Sequence, residues 1–119
     1  MSDVTVKTFD ELDSYEGRGR FCYAARSLGV TAWGMNLVRF PAGYEDYPEH
    51  DHAEDGQEEV YVPIEGSATL TAGGNSWELV PGTMARVGPG QTRKLVAGDA
   101  GVTVLVLGGT PGSAFAPRT

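Results

Sequence analysis

Turn residues interrupt this chain at such short intervals that no long helix fits between them. Beyond residue 20 the punctuation runs Ser27-Leu28-Gly29, Pro41-Ala42-Gly43, Glu65-Gly66, Ala72-Gly73-Gly74-Asn75, Pro81-Gly82 and Gly88-Pro89-Gly90. Between these marks lie short runs rich in β-branched and aromatic residues. Strands are expected over Phe21–Arg26, Val30–Phe40, Glu59–Ile64, Ser67–Thr71, Ser76–Val80, Met84–Val87, Arg93–Val96 and Val102–Leu107. The two glycines between Thr71 and Ser76 mark a hairpin. Only Thr8–Asp13 carries a helix signal, a short one, with a capping residue ahead of two acids, and Gly17 and Gly19 break it. Gly108–Thr119, rich in glycine and proline, is expected to be extended. The pattern is that of an all-β antiparallel sandwich or barrel with a short N-terminal helical turn.

At 119 residues the chain has the length of one domain, 1–119, and no repeat or composition break divides it. Sixteen acids against nine bases give a net charge of −7, which argues against nucleic acid and against an anionic membrane surface as partners. No apolar run reaches the roughly 20 residues of a membrane helix. Met1-Ser2-Asp3-Val4 is neither basic nor apolar, and the lone Cys22 has no internal disulfide partner, so a cytoplasmic protein is expected.

Half of the sixteen acids fall between Glu45 and Glu59, in the stretch that holds both histidines. That is either a solvated loop or a negative rim around a cation site. His50 and His52 are one residue apart, and in an extended segment residues i and i+2 face the same side. Both imidazoles can then reach one ion. Glu59, which opens the next expected strand, can add a carboxylate and complete a facial set of two histidines and one acid. Glu58 would face the other way, and Gln57 is a weaker, neutral ligand.

Gly43, His50, His52, Glu59 and Gly66 follow the order of the first motif of the cupin family, and Pro81–Arg93 is similar to its second motif. The resemblance covers roughly 34–107. It implies a double-stranded β-helix, a small jelly-roll barrel with its pocket between two sheets, a bound metal, a small-molecule ligand and pairing into homodimers. Two departures stand out. The spacer between His52 and Glu59 is six residues, longer than the family pattern, which a loop tolerates at small entropic cost. More important, Arg93 stands where the family's fourth ligand, a histidine, is expected.

Guanidinium has no lone pair to donate, so Arg93 is not a ligand. Facing a divalent ion at about 6 Å it would be repelled by roughly 5 kcal/mol at an effective dielectric near 20. A metal is compatible with Arg93 pointing away, with water in the vacant position, or with Arg93 clamping the carboxylate of a substrate. Alternatively Arg93 pairs with Glu59 in a metal-free pocket. The ligand types suit iron, manganese, nickel, copper or zinc without choosing among them.

Tyr61, two residues beyond Glu59, shares its face, either as an acid or base or as a packed tyrosine with a hydrogen-bonded hydroxyl. Trp33, Met35 and Leu37 alternate as an apolar face, Tyr44 and Tyr47 flank the acidic loop as a candidate gate, and Cys22 reads as a small buried residue. The resulting expectation is a pocket binding a divalent metal, a small anionic ligand or both. Its metal ligands are His50, His52 and Glu59, and its reacting groups are Tyr61 and Arg93. Oxygenase or isomerase chemistry is one reading, and a non-catalytic binding or sensing module with a degenerate metal site is the alternative.

Overall fold

A computed structural model describes residues 2–112. Short 3-10 turns at Phe9–Glu11 and Tyr15–Gly17 lead into β1 (Phe21–Cys22), α1 (Ala24–Leu28), β2 (Gly34–Phe40), β3 (Glu58–Ala72), β4 (Asn75–Leu79), β5 (Ala85–Val87) and β6 (Arg93–Gly109). The expected helical turn is the first of these: the Glu11 carboxylate accepts from both the N–H and the hydroxyl of Thr8, each at 2.9 Å. Of the expected extended tail, Gly108 and Gly109 complete β6, and residues 113–119 lie outside the described residues.

Three expectations are corrected. The strand over Phe21–Arg26 stops at Cys22, because Ala24-Ala25-Arg26-Ser27-Leu28 holds no β-branched residue and forms α1 instead. Gly29, at φ 83°, supplies the left-handed cap that ends it. Glu65-Gly66 is not a turn: β3 runs through it for 15 residues, and the register against β6 shifts there. Likewise Arg93–Val96 and Val102–Leu107 are two halves of one 17-residue strand. Glycine is required at this double kink. Gly66 and Gly101 both have positive φ, a Cβ on Gly66 would overlap the Gly101 carbonyl oxygen, and one on Gly101 would lie 2.7 Å from the Phe40 oxygen.

The kinks divide the strands between two sheet halves. In one, Glu58–Gly66 of β3 lies between β5 and Val102–Gly109 of β6, with β2 and then β1 beyond. In the other, Ala68–Ala72 lies between β4 and Arg93–Ala97. The free edge of Arg93–Ala97 is taken by the acidic loop: the Ala97 N–H donates to the Tyr44 carbonyl at 2.9 Å, and His50 and Arg93 exchange backbone bonds at 3.1 and 2.9 Å. The shell expected to close stays open, since the ladders of β4 and β5 each run to β3 and none joins them to each other.

Val38, Phe40, Tyr61, Leu70, Leu79, Leu95, Val104 and Val106 fill the space between the halves. Each such side chain contributes about 1.5–3 kcal/mol on burial. On the other face of β2, Leu37 is buried opposite Cys22, where α1 packs. The alternation through Trp33, Met35 and Leu37 therefore marks the outer face, and Trp33 precedes the strand and is exposed. Among the described residues no helix is long and apolar enough to cross a membrane.

Candidate metal centre

Backbone pairing places both histidines. His50 is held against Arg93 of β6, and the His52 N–H donates to the Pro89 carbonyl at 2.8 Å. Glu59, near the start of β3, is 8 % exposed, and its register neighbours are Val87 of β5 and Gly108 of β6. The three residues bring one ligand atom each to within 4.8 Å of one another. The His50 Nε2 lies 3.6 Å from Oε1 of Glu59, and the His52 Nε2 lies 3.4 Å from Oε2. Ligand atoms bound about 2.0–2.2 Å from one ion stand about 2.8–3.6 Å apart at octahedral to tetrahedral angles. Both histidine–carboxylate separations fall in that span, so the donor types and these two distances suit a first-row divalent ion.

The far side of each ring is also tied down. The His50 Nδ1 meets the Pro48 carbonyl at 3.1 Å, and the His52 Nδ1 meets both oxygens of Asp55 at 3.1 Å. Carbonyls and carboxylates only accept, so each Nδ1 carries a proton, and Nε2 is the ring atom that faces Glu59 and would bind a metal. Such outer partners orient ligating imidazoles and raise their basicity.

The two oxygens of Glu59 have different tasks. Oε1 accepts the Tyr61 hydroxyl at 2.9 Å and lies 3.5 Å from an Arg93 nitrogen, NH1. Oε2 faces His52. Burial pushes the Glu59 carboxyl upward, but His50, the Tyr61 hydroxyl, His52 and Arg93 together outweigh it and hold it below its ordinary range. The carboxylate beside His50 raises that imidazole against the opposing effect of burial. Tyr61 is driven far above a free phenol, first by burial and then by the Glu59 charge, so it stays protonated and its O–H is the donor to Glu59. Burial, with Glu59 adding to it, pushes Tyr47 up to about 12.

Arg93 is the unusual member. Its side chain is 0 % exposed. NH2 donates to the Gly88 carbonyl at 2.8 Å, whereas Nε and NH1 have no hydrogen-bond partner among the described residues. At 3.5 Å the contact of NH1 with Glu59 is an ion pair without a formed hydrogen bond. An unsatisfied buried donor costs about 1–3 kcal/mol, so two on one fully buried cation call for an acceptor.

The structure thus brings His50, His52, Glu59, Tyr61 and Arg93 into one cluster, in which Arg93 lies in ion-pair range of Glu59. Glu58 pairs with Arg86 on the outer face at 2.9 Å, and Gln57 is engaged by Asp55. Tyr44 and Tyr47 pack on Phe40 at ring separations of 4.6 and 5.3 Å, and Tyr47 sets its ring against His50, which makes the pair a wall of the site. Sequence reasoning missed Asp55 and the carbonyls of Pro48 and Gly88. Asp55 sits three residues past His52, but in a loop so rich in acids that spacing singles out none; a carbonyl leaves no mark in sequence.

No family model matches the sequence, and no curated protein matches it. Similarity emerges in three dimensions. A cupin protein from Bacteroides fragilis superposes with a TM-score of 0.77 at 22 % identity, over 99 % of this chain and 93 % of that one. The chain is a cupin by fold. A second cupin, described as a sugar phosphate isomerase from Silicibacter pomeroyi, matches at 30 % identity and a TM-score of 0.64, over 74 % of this chain and 57 % of that one. The DMSP lyase of Ruegeria pomeroyi matches at 26 % identity and a TM-score of 0.59, over 71 % of this chain and 41 % of that one. Within this fold the site combines two imidazoles whose Nε2 atoms face one carboxylate, a protonated phenol and a buried cation with two donors unpartnered among the described residues.

Proposed function

We propose that this cupin holds a divalent transition metal on His50, His52 and Glu59, and that Arg93 anchors the anionic group of a small molecule on which the site performs a proton-transfer reaction of isomerase or lyase type. The observation that carries the reading is the fully buried guanidinium with two unpartnered donors beside a two-histidine, one-carboxylate set. A negative acceptor satisfies those donors and offsets the repulsion between Arg93 and a divalent ion. The metal, when bound, supplies Lewis acidity toward a substrate oxygen. Tyr61 lies on the same face and donates its hydroxyl to Oε1 of Glu59, so it positions the carboxylate against which substrate would be held. Two similar cupins are named as an isomerase and a lyase, which supports this class of chemistry.

A non-catalytic binding module is the second reading, favoured by an arginine at the position expected for a fourth ligand. One experiment separates the two. The protein is loaded with Mn²⁺ in D₂O and offered small hydroxy and oxo carboxylates and sugar phosphates, with NMR following deuterium entry at carbon. Metal-dependent exchange that is lost in Tyr61→Phe supports the enzyme. Tight binding without exchange assigns the binding module, and failure to retain any metal overturns the metal centre.

A further inference from the structure

The stretch Gly43–His50 is bonded to the edge of β6 at its two ends and not in its middle. The Gly43 N–H donates to the Gly98 carbonyl and the Ala97 N–H to the Tyr44 carbonyl, each at 2.9 Å, and the next backbone bonds are those exchanged by His50 and Arg93. Five residues, Glu45–Glu49, therefore stand against three, Lys94–Val96, and among the described residues no backbone bond joins the two runs. Lys94 bridges the gap. It alternates with the buried Arg93 and Leu95, so it lies half-buried on the opposite face of β6. Its ammonium donates to the carbonyls of Glu45 and Tyr47, the latter at 2.6 Å. An ammonium carries three N–H donors and can serve both carbonyls at once.

The segment held in this way carries two supports of the His50 ring. The Pro48 carbonyl, one residue beyond that of Tyr47, meets His50 Nδ1 at 3.1 Å. The Tyr47 ring stands edge-on to the imidazole, with centroids 5.6 Å apart, and packs on Phe40 at 5.3 Å. The ring of Pro48 fixes its own φ, so fixing the Tyr47 carbonyl restricts where the Pro48 carbonyl can lie. His52 has other supports, the Pro89 carbonyl and Asp55, neither of which Lys94 holds.

We infer that Lys94 is a positioning residue for the candidate metal centre: its ammonium holds the Glu45–Glu49 bulge against β6, and through Tyr47 and Pro48 it keeps the His50 ring aimed at Glu59. The inference rests on the reading of His50 as a metal ligand and adds the residue that orders it in advance. A ring already ordered before the ion arrives loses less freedom on binding it, so Lys94 acts on metal affinity and leaves the donor set unchanged.

Lys94→Met and Lys94→Arg test this in the intact chain. In metal-free protein, NMR contacts between the Tyr47 and His50 rings are expected to vanish in Lys94→Met, while the methyl shifts of the buried Val104 and Val106 keep their parent values. In Lys94→Arg, whose guanidinium can serve the same two carbonyls, the ring contacts are expected to persist. Calorimetric Mn²⁺ affinity is expected to fall about tenfold in Lys94→Met and to stay within about threefold of the parent in Lys94→Arg. Ring contacts or Mn²⁺ affinity unchanged in Lys94→Met overturns the positioning role. So does a fall in affinity accompanied by displaced core shifts, which makes Lys94 a general support of the fold. A parent protein that binds no Mn²⁺ removes the metal centre, and the ring contact in metal-free protein then decides alone whether Lys94 holds His50.

Discussion

Replacing Arg93 by Met together with Glu59 by Gln asks whether the buried pair exists for the fold or for a ligand. In the parent, NH2 makes one charge-assisted bond to Gly88, worth about 1.5–3 kcal/mol. The pair with Glu59 at 3.5 Å is worth about 5 kcal/mol at an effective dielectric of 20. Against these stand two unsatisfied donors, at about 1–3 kcal/mol each, and a desolvation cost of several kcal/mol for each ion. The terms nearly cancel. Methionine fills a comparable length with no polar atom, and the amide introduced by Glu59→Gln keeps an oxygen for the Tyr61 hydroxyl and gains an N–H for His52. The double variant is therefore expected to lie within about 2 kcal/mol of the parent, whereas Arg93→Met alone, which leaves the carboxylate buried without its cation, loses about 3–5 kcal/mol. Guanidinium chloride unfolding at neutral pH measures both, provided the denaturant slope is unchanged. A double variant that loses more than about 4 kcal/mol would refute the reasoning, because the pair would then be a stabilising element of the fold and not a poised receptor.

Four further outcomes follow from the same geometry. His50→Ala removes most bound metal by elemental analysis and leaves the circular dichroism spectrum intact, since the ring lies at the rim of the core; retention of a full equivalent contradicts its role as ligand. Arg93→His supplies the missing fourth ligand and tightens Mn²⁺ at least tenfold in a calorimetric titration, and unchanged or weaker affinity places residue 93 off the ligand position. In metal-free protein, Glu59 is held below its ordinary 4.5, so its contribution is present above that pH and lost as pH falls further; His50 is raised above its ordinary 6.5, so its contribution is present below 6.5 and lost as pH climbs through its raised value. Apo stability measured by denaturant midpoint should therefore peak between these limits, while metal affinity keeps rising with pH as His50 gives up its proton, and a metal affinity that falls with apo stability above the peak would count against it. Gly66→Ala, at a positive φ and against the Gly101 carbonyl, should cost more than about 2 kcal/mol in thermal melts; a melt like the parent's would show that the double kink is not locked.

The clustering of the candidate ligands was legible in the sequence because strand geometry is local. A period of two puts His50 and His52 on one side, and the same period puts Tyr61 beside Glu59. The hairpin at Gly73-Gly74 was legible for a similar reason, as two consecutive glycines at positive φ encode that turn. Continuity through Gly66 and Gly101 was not legible. A glycine in a bulge reads like a glycine in a turn, and only the partner strand, 35 residues away in the case of Gly66, distinguishes them. The helix at Ala24–Leu28 was hidden by the aromatic residues Phe21 and Tyr23 just ahead of it, which bias a short window toward strand.

The most direct test is a crystal of the protein grown with Mn²⁺ and measured for anomalous scattering. A single strong peak bounded by the Nε2 atoms of His50 and His52 and by Oε2 of Glu59, with the Arg93 guanidinium beside it and not coordinated, is the predicted result. Full occupancy of Mn²⁺ elsewhere, or no peak among these three side chains at saturating metal, would contradict it.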